Sequence, residues 1–109
     1  MARYGFAIVH GRSMAPTLRA GDRLFVRYGG TPRPGQLVVV WLPDRHVLSV
    51  KRATRRVPEG WWVERDNPRE GVDSWLVGAV REDDVVAVVW ARVWPWPRLL
   101  TRGRTDQLH

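Results

Sequence analysis

The sequence predicts a single small all-β domain of barrel or sandwich type, with short loops and little helix. Three observations carry that reading. Six short runs are rich in β-branched and aromatic residues: Phe6 to Val9, Leu24 to Tyr28, Leu37 to Leu42, Val47 to Ala53, Trp61 to Glu64 and Val85 to Val93. Turn-forming residues separate the runs. No segment repeats apolar residues at the 3.6-residue spacing of an amphipathic helix.

Each boundary has its own cause. The first run stops before His10-Gly11, and Tyr28-Gly29-Gly30 with Pro32 to Gly35 ends the second. Pro43-Asp44 breaks the third, since proline removes a ladder donor and fixes φ. Pro58-Glu59-Gly60 joins the fourth run to the fifth, and Asn67-Pro68 closes the fifth. Arg81 to Asp84 is the best place for a single helical turn. The pattern stops after Pro95, so residues 1–97 are expected to form the domain and 98–109 a disordered tail.

Composition narrows the chemistry. The 109 residues include no cysteine, which excludes disulfides, thiolate metal sites and cysteine nucleophiles. His10, His46 and His109 have no ligand spacing, so neither a metal nor another cofactor is expected. The formal charge is +7, but the arginines are dispersed along the chain. They read as a solvated surface, and no nucleic-acid partner is expected. The longest apolar run, Val85 to Ala91, is far below the ~20 residues that span a bilayer. A cytoplasmic, anchorless protein, at most peripheral to a membrane, is therefore expected.

Two residues stand out for catalysis. Of eighteen Lys and Arg positions, seventeen are Arg and only Lys51 is Lys. Arginine cannot deprotonate, whereas a desolvated lysine can. Lys51 ends the apolar run Val47-Leu48-Ser49-Val50, where burial would disfavour its ammonium form and suit it to general-base work. The plainer reading is a chance survivor at a strand edge. Ser13 is one of three serines and follows a predicted strand. There its hydroxyl and backbone N–H can both face a substrate carbonyl. Gly11 is expected to allow close backbone approach, and Pro16 to fix the following turn.

The run GRSMAPTLRAGD, Gly11 to Asp22, resembles the serine box of the signal peptidase I family. Pro34 to Val40, Val50-Lys51-Arg52, and Asp66-Asn67 followed by Asp73-Ser74 and Gly78-Ala79-Val80 resemble its later boxes, in order. The resemblance covers about residues 6–93 and implies the family's complex β-fold. It also implies a Ser/Lys dyad, with Ser13 as nucleophile and Lys51 as base. Oxyanion support would come from the backbone at Gly11 and Ser13. Asp66, Asn67, Asp73 and Ser74 would form the supporting shell, although a turn held by side-chain hydrogen bonds is an equal reading of the last pair. Met14 would contact substrate. Gly11 and Gly71 stand where the family carries serines, Trp75 replaces an arginine, Arg65 a glycine and Gln36 an aspartate. The dyad should therefore lean on backbone donors.

The short chain, RLFVRYG, PRPGQLVVV and GWWVERDNP look like the nickel-type superoxide dismutase maturation proteases. Those are inferred to remove an N-terminal propeptide from a precursor, which would be the partner here. Two alternatives stay open. One is a LexA/UmuD-like self-cleaving domain, for which twelve residues before Ser13 leave little room. The other is a non-catalytic basic, tryptophan-rich binding module. Trp61-Trp62 are expected in the core, while Trp94 and Trp96 are the candidate membrane contact.

Overall fold

The computed structural model describes residues 3–67 and 78–100. Among these residues there are seven strands: β1 (Arg3–Ile8), β2 (Arg23–Tyr28), β3 (Leu37–Leu42), β4 (Val47–Val57), β5 (Gly60–Glu64), β6 (Val85–Trp94) and β7 (Arg98–Leu99). They form one antiparallel sheet in the order β1-β2-β6-β3-β4-β5, with β7 on β6. Single 3-10 turns occupy Pro43–Arg45 and Glu82–Asp84, so the expected turn at Arg81 to Asp84 is found nearly in place. The all-β reading holds.

β3 explains why its sequence is continuously apolar. Leu37 and Val39 enter one hydrophobic cluster with Leu24, Val26 and Val89, whereas Val38, Val40 and Leu42 enter a second with Ala53, Trp61 and Val63. Successive strand side chains point to opposite faces, so a strand covered on both sides needs apolar residues at every position. β6 does the same, with Ala87 and Val89 in the first cluster and Val88 in the second. Trp61 sits in the second cluster as expected, whereas Trp62, also expected in the core, points to the opposite face, half-buried beneath the Arg55 guanidinium at 4.8 Å.

The β4–β5 hairpin is fixed by a close approach. A Cβ at Gly60 would lie 2.1 Å from the Val80 carbonyl oxygen, and Trp61 and Val80 exchange two backbone bonds of 2.8 Å. Only glycine allows that contact. At the other end, β2 occupies one edge of β6, so β7 takes the other edge beyond β3, pairing Ala91 with Leu99. Leu100 is buried in the first cluster and its N–H donates to the Trp90 carbonyl at 2.7 Å. The packed chain therefore runs past the expected boundary at 97 as far as Leu100. The reason is tertiary: β6 has a free edge that Arg98 and Leu99 can fill. Residues 101–109 lie outside those described.

Candidate active site

The segment from Val9 to Asp22 joins β1 to β2 and carries Ser13. Its ends are clamped, with Val9 N–H on the Asp22 carbonyl at 2.9 Å and Gly21 N–H on the Val9 carbonyl at 2.8 Å. The buried Asp22 carboxylate accepts the Arg19 N–H at 2.9 Å. Met14 and Leu18 root the segment in the first cluster, and the Leu18 N–H donates to the Met14 carbonyl at 2.9 Å. Alternating anchors leave Ser13 half-buried on the outer side. Gly11 has φ +77, and nothing lies within 4 Å of a Cβ built there. Within the chain its requirement is thus a left-handed backbone.

Asp66 and Asn67 hold this segment from across the molecule. The Asn67 N–H donates to the Ser13 carbonyl at 2.8 Å, and its side-chain amide to the Arg12 carbonyl at 2.8 Å. The Thr17 hydroxyl donates to Asp66 Oδ2 at 2.5 Å. Asp66 in turn receives Arg52 Nε at 2.9 Å and Arg52 Nη2 at 2.6 Å, while Arg52 Nη1 donates to the Gly35 carbonyl at 2.7 Å. This fork-to-fork pair is buried, and bidentate geometry fixes both partners. Sequence reading missed Arg52 and Thr17. Both lie inside the quoted boxes, and a charged residue next to Lys51 in an apolar strand was the available signal.

Lys51 is 2% exposed, the largest fully buried side chain among the described residues. It pairs across the sheet with Val38, and the preceding Ser49 and Val50 line the same cleft as Ser13. The link from the serine segment to the lysine strand runs through Thr17, Asp66 and Arg52, the residue after Lys51. The Ser13 N–H donates to no backbone carbonyl among the described residues. Catalytic contacts commonly tighten only when substrate arrives. Gly71, Asp73, Ser74 and Trp75 lie outside the described residues.

The cleft has a volume of about 330 Å³. Phe6, Ile8, Tyr28 and Leu48 stand on its rim, and Met14, Val39 and Ala87 are buried along it. Met14 thus reaches the cleft from the core. Phe6 is 70% exposed, an unusual cost for a large apolar ring on a free edge strand. Among the described residues the outer edge of β1 has no partner strand, nor does that of β4 from Val47 to Val50. Two strand edges therefore flank the serine. A smaller cavity of about 180 Å³ near Trp41 and Gly78 contains neither serine nor lysine.

A half-buried serine on a clamped turn, a fully buried lysine and free strand edges are the equipment of a peptidase that receives an extended chain. The family model described as Peptidase S24-like matches residues 2–89, and the chain belongs to that family. Membership carries the assignment of serine-type peptidase. A search of the curated proteins finds no match.

Proposed function

We propose that the protein is a serine endopeptidase in which Ser13 is the nucleophile and Lys51 the general base. The observation that carries this is the complete burial of the only lysine in the chain beside a cleft lined by Ser13. Burial disfavours an ammonium and favours the neutral amine that a general base needs. Ser13 Oγ attacks the scissile carbonyl carbon and its proton passes to Lys51 Nζ. The oxyanion is met by backbone N–H groups, chiefly that of Ser13. The leaving amine takes the proton from Lys51, and an acyl-enzyme remains. Lys51 then deprotonates a water, which cleaves the ester and regenerates Ser13. Asp66, Asn67, Arg52 and Thr17 act through the serine segment as positioning residues; Asp73 and Ser74 complete the supporting shell.

The substrate is a protein precursor that loses an N-terminal segment, with the nickel superoxide dismutase precursor as the named candidate. It would lie extended along the β1 or β4 edge, its small side chains over the apolar floor at Ala7 and Val50. Supporting this branch are the boxes around Ser13, Lys51 and Asp66-Asn67. Incubation of candidate precursors with the protein, read by mass spectrometry, should give a shortened product. Ser13→Ala and Lys51→Ala should give none while keeping the fold. A product formed by Ser13→Ala would sink the assignment. With wild type, activity should rise with pH as the Lys51 amine loses its proton.

A second reading, self-cleavage, is favoured by the Peptidase S24-like match itself. Its first-order rate would be independent of protein concentration, whereas cleavage of a separate precursor would not. A peripheral membrane contact at the β6–β7 hairpin is part of the proposal. Trp96 is 74% exposed, with Trp94, Leu99, Arg92 and Arg98 around it. Among the described residues no helix is long and apolar enough to cross a membrane. Co-sedimentation with anionic vesicles that survives Trp94→Ser plus Trp96→Ser would remove the contact.

A further inference from the structure

The face of the sheet behind the Ser13 cleft carries a second cavity, of about 390 Å³, lined by Arg27, Thr31, Arg33, Gln36 and Trp90. Its place follows from strand alternation. Val26 and Ala87 line the cleft, whereas their neighbours Arg27 and Val88 line this cavity. The sheet separates the two.

Its chemistry is cationic and uncompensated. Neither Arg27 nor Arg33 makes an ion pair among the described residues. Glu82 and Asp83 line an adjoining cavity across Gly30 and Thr31, and Glu82 is engaged by Arg56 at 2.6 Å. Arg27 is half-buried, and its Nε is buried with no hydrogen-bond partner. Burying a guanidinium donor without a partner is costly, and an anion in this cavity would offset that cost.

The site is also preorganised. The Arg27 guanidinium stands 6.0 Å from the centre of the Trp90 ring, which is braced edge-on by Tyr4 at 5.3 Å. Arg33 is placed by a closed turn. Its N–H donates to Gln36 Oε1 at 2.7 Å, and the Gln36 N–H returns to the Arg33 carbonyl at 3.0 Å. A Cβ at Gly30 would lie 3.6 Å from Val88 Cγ2 and 3.8 Å from Arg27 Cδ. Glycine there keeps the cavity open where a side chain would occupy it.

We infer that this cavity binds a phosphate monoester, its oxygens shared between the Arg27 and Arg33 guanidiniums with the Thr31 hydroxyl as a further donor. Planar guanidinium forks match phosphate oxygens, and two of them balance a dianion. The volume falls within the ~300–1,000 Å³ typical of small-molecule sites and exceeds what one phosphate group fills.

Calorimetric titration of the full chain at low ionic strength, with inorganic phosphate, AMP and acetate, tests this. Phosphate and AMP should both saturate, and acetate should bind more weakly than either. Tighter binding of AMP assigns a phosphorylated metabolite; equal binding assigns the free phosphate group. Arg33→Gln, at an exposed position, should weaken both by about tenfold or more, as should Arg27→Gln. Peptidase activity of Arg33→Gln should equal wild type, which separates this site from the dyad. Absence of saturable phosphate binding by the wild type, or its survival in the Arg27→Gln plus Arg33→Gln double variant, would overturn the inference.

Discussion

Arg52 and Arg56 lie on the same strand, and each closes an ion pair of 2.6 Å, yet the two pairs do different things. The Arg52–Asp66 side chains are 6% and 3% exposed, those of Arg56 and Glu82 54% and 55%. Distance alone does not distinguish them. What separates them is water and what hangs on each. Asp66 also accepts from Thr17 and thereby holds the segment of the nucleophile, whereas Glu82 begins a 3-10 connection on the surface. An exposed pair is screened and contributes little, while a buried one is strongly destabilising when half of it is removed.

The largest effect should come from Asp66→Ala, which leaves the Arg52 guanidinium buried and unpaired. Urea unfolding should show a loss of about 3–5 kcal/mol, accompanied by loss of peptidase activity. A variant as stable as wild type would break the comparison. Next, Arg52→Met with Asp66→Leu should regain much of that stability, because no lone charge remains. Its activity should stay low, since Thr17 has no anchor. Stability and turnover would then part company. Thr17→Val removes one hydrogen bond to a carboxylate and should cost about 1.5 kcal/mol with a fall in kcat. The smallest change is expected for Glu82→Gln, within about 1 kcal/mol in the same unfolding measurement and with normal activity. A larger loss there would show that exposure misjudges the surface pair.

The hydrophobic runs mark β2 to β6 closely, because period-two and continuously apolar patterns are local signals that survive folding. β7 was not legible. Arg98-Leu99 has no pattern of its own and becomes a strand only because β6 offers an edge. The site divides in the same way. Ser13 and Lys51 stand out by rarity and setting, and Asp66 and Asn67 by their box. Thr17 meets Asp66 across 49 residues of chain, a contact that no window along the sequence contains. Met14 looked like a substrate contact and is chiefly a core residue that also reaches the cleft. The left-handed backbone that demands glycine at Gly11 is likewise set by the folded segment.

By itself, then, the sequence determined an all-β chain, its doubly covered central strands and one lysine set among apolar neighbours. Those follow from residue chemistry and short-range spacing. The tertiary structure decided which of the described arginines would be buried, that the chain would pack on past residue 97, and which cavity would lie behind the sheet. Arginines are chemically alike along the chain. Only strand order and register determine which one meets a carboxylate, which meets an indole ring and which meets water.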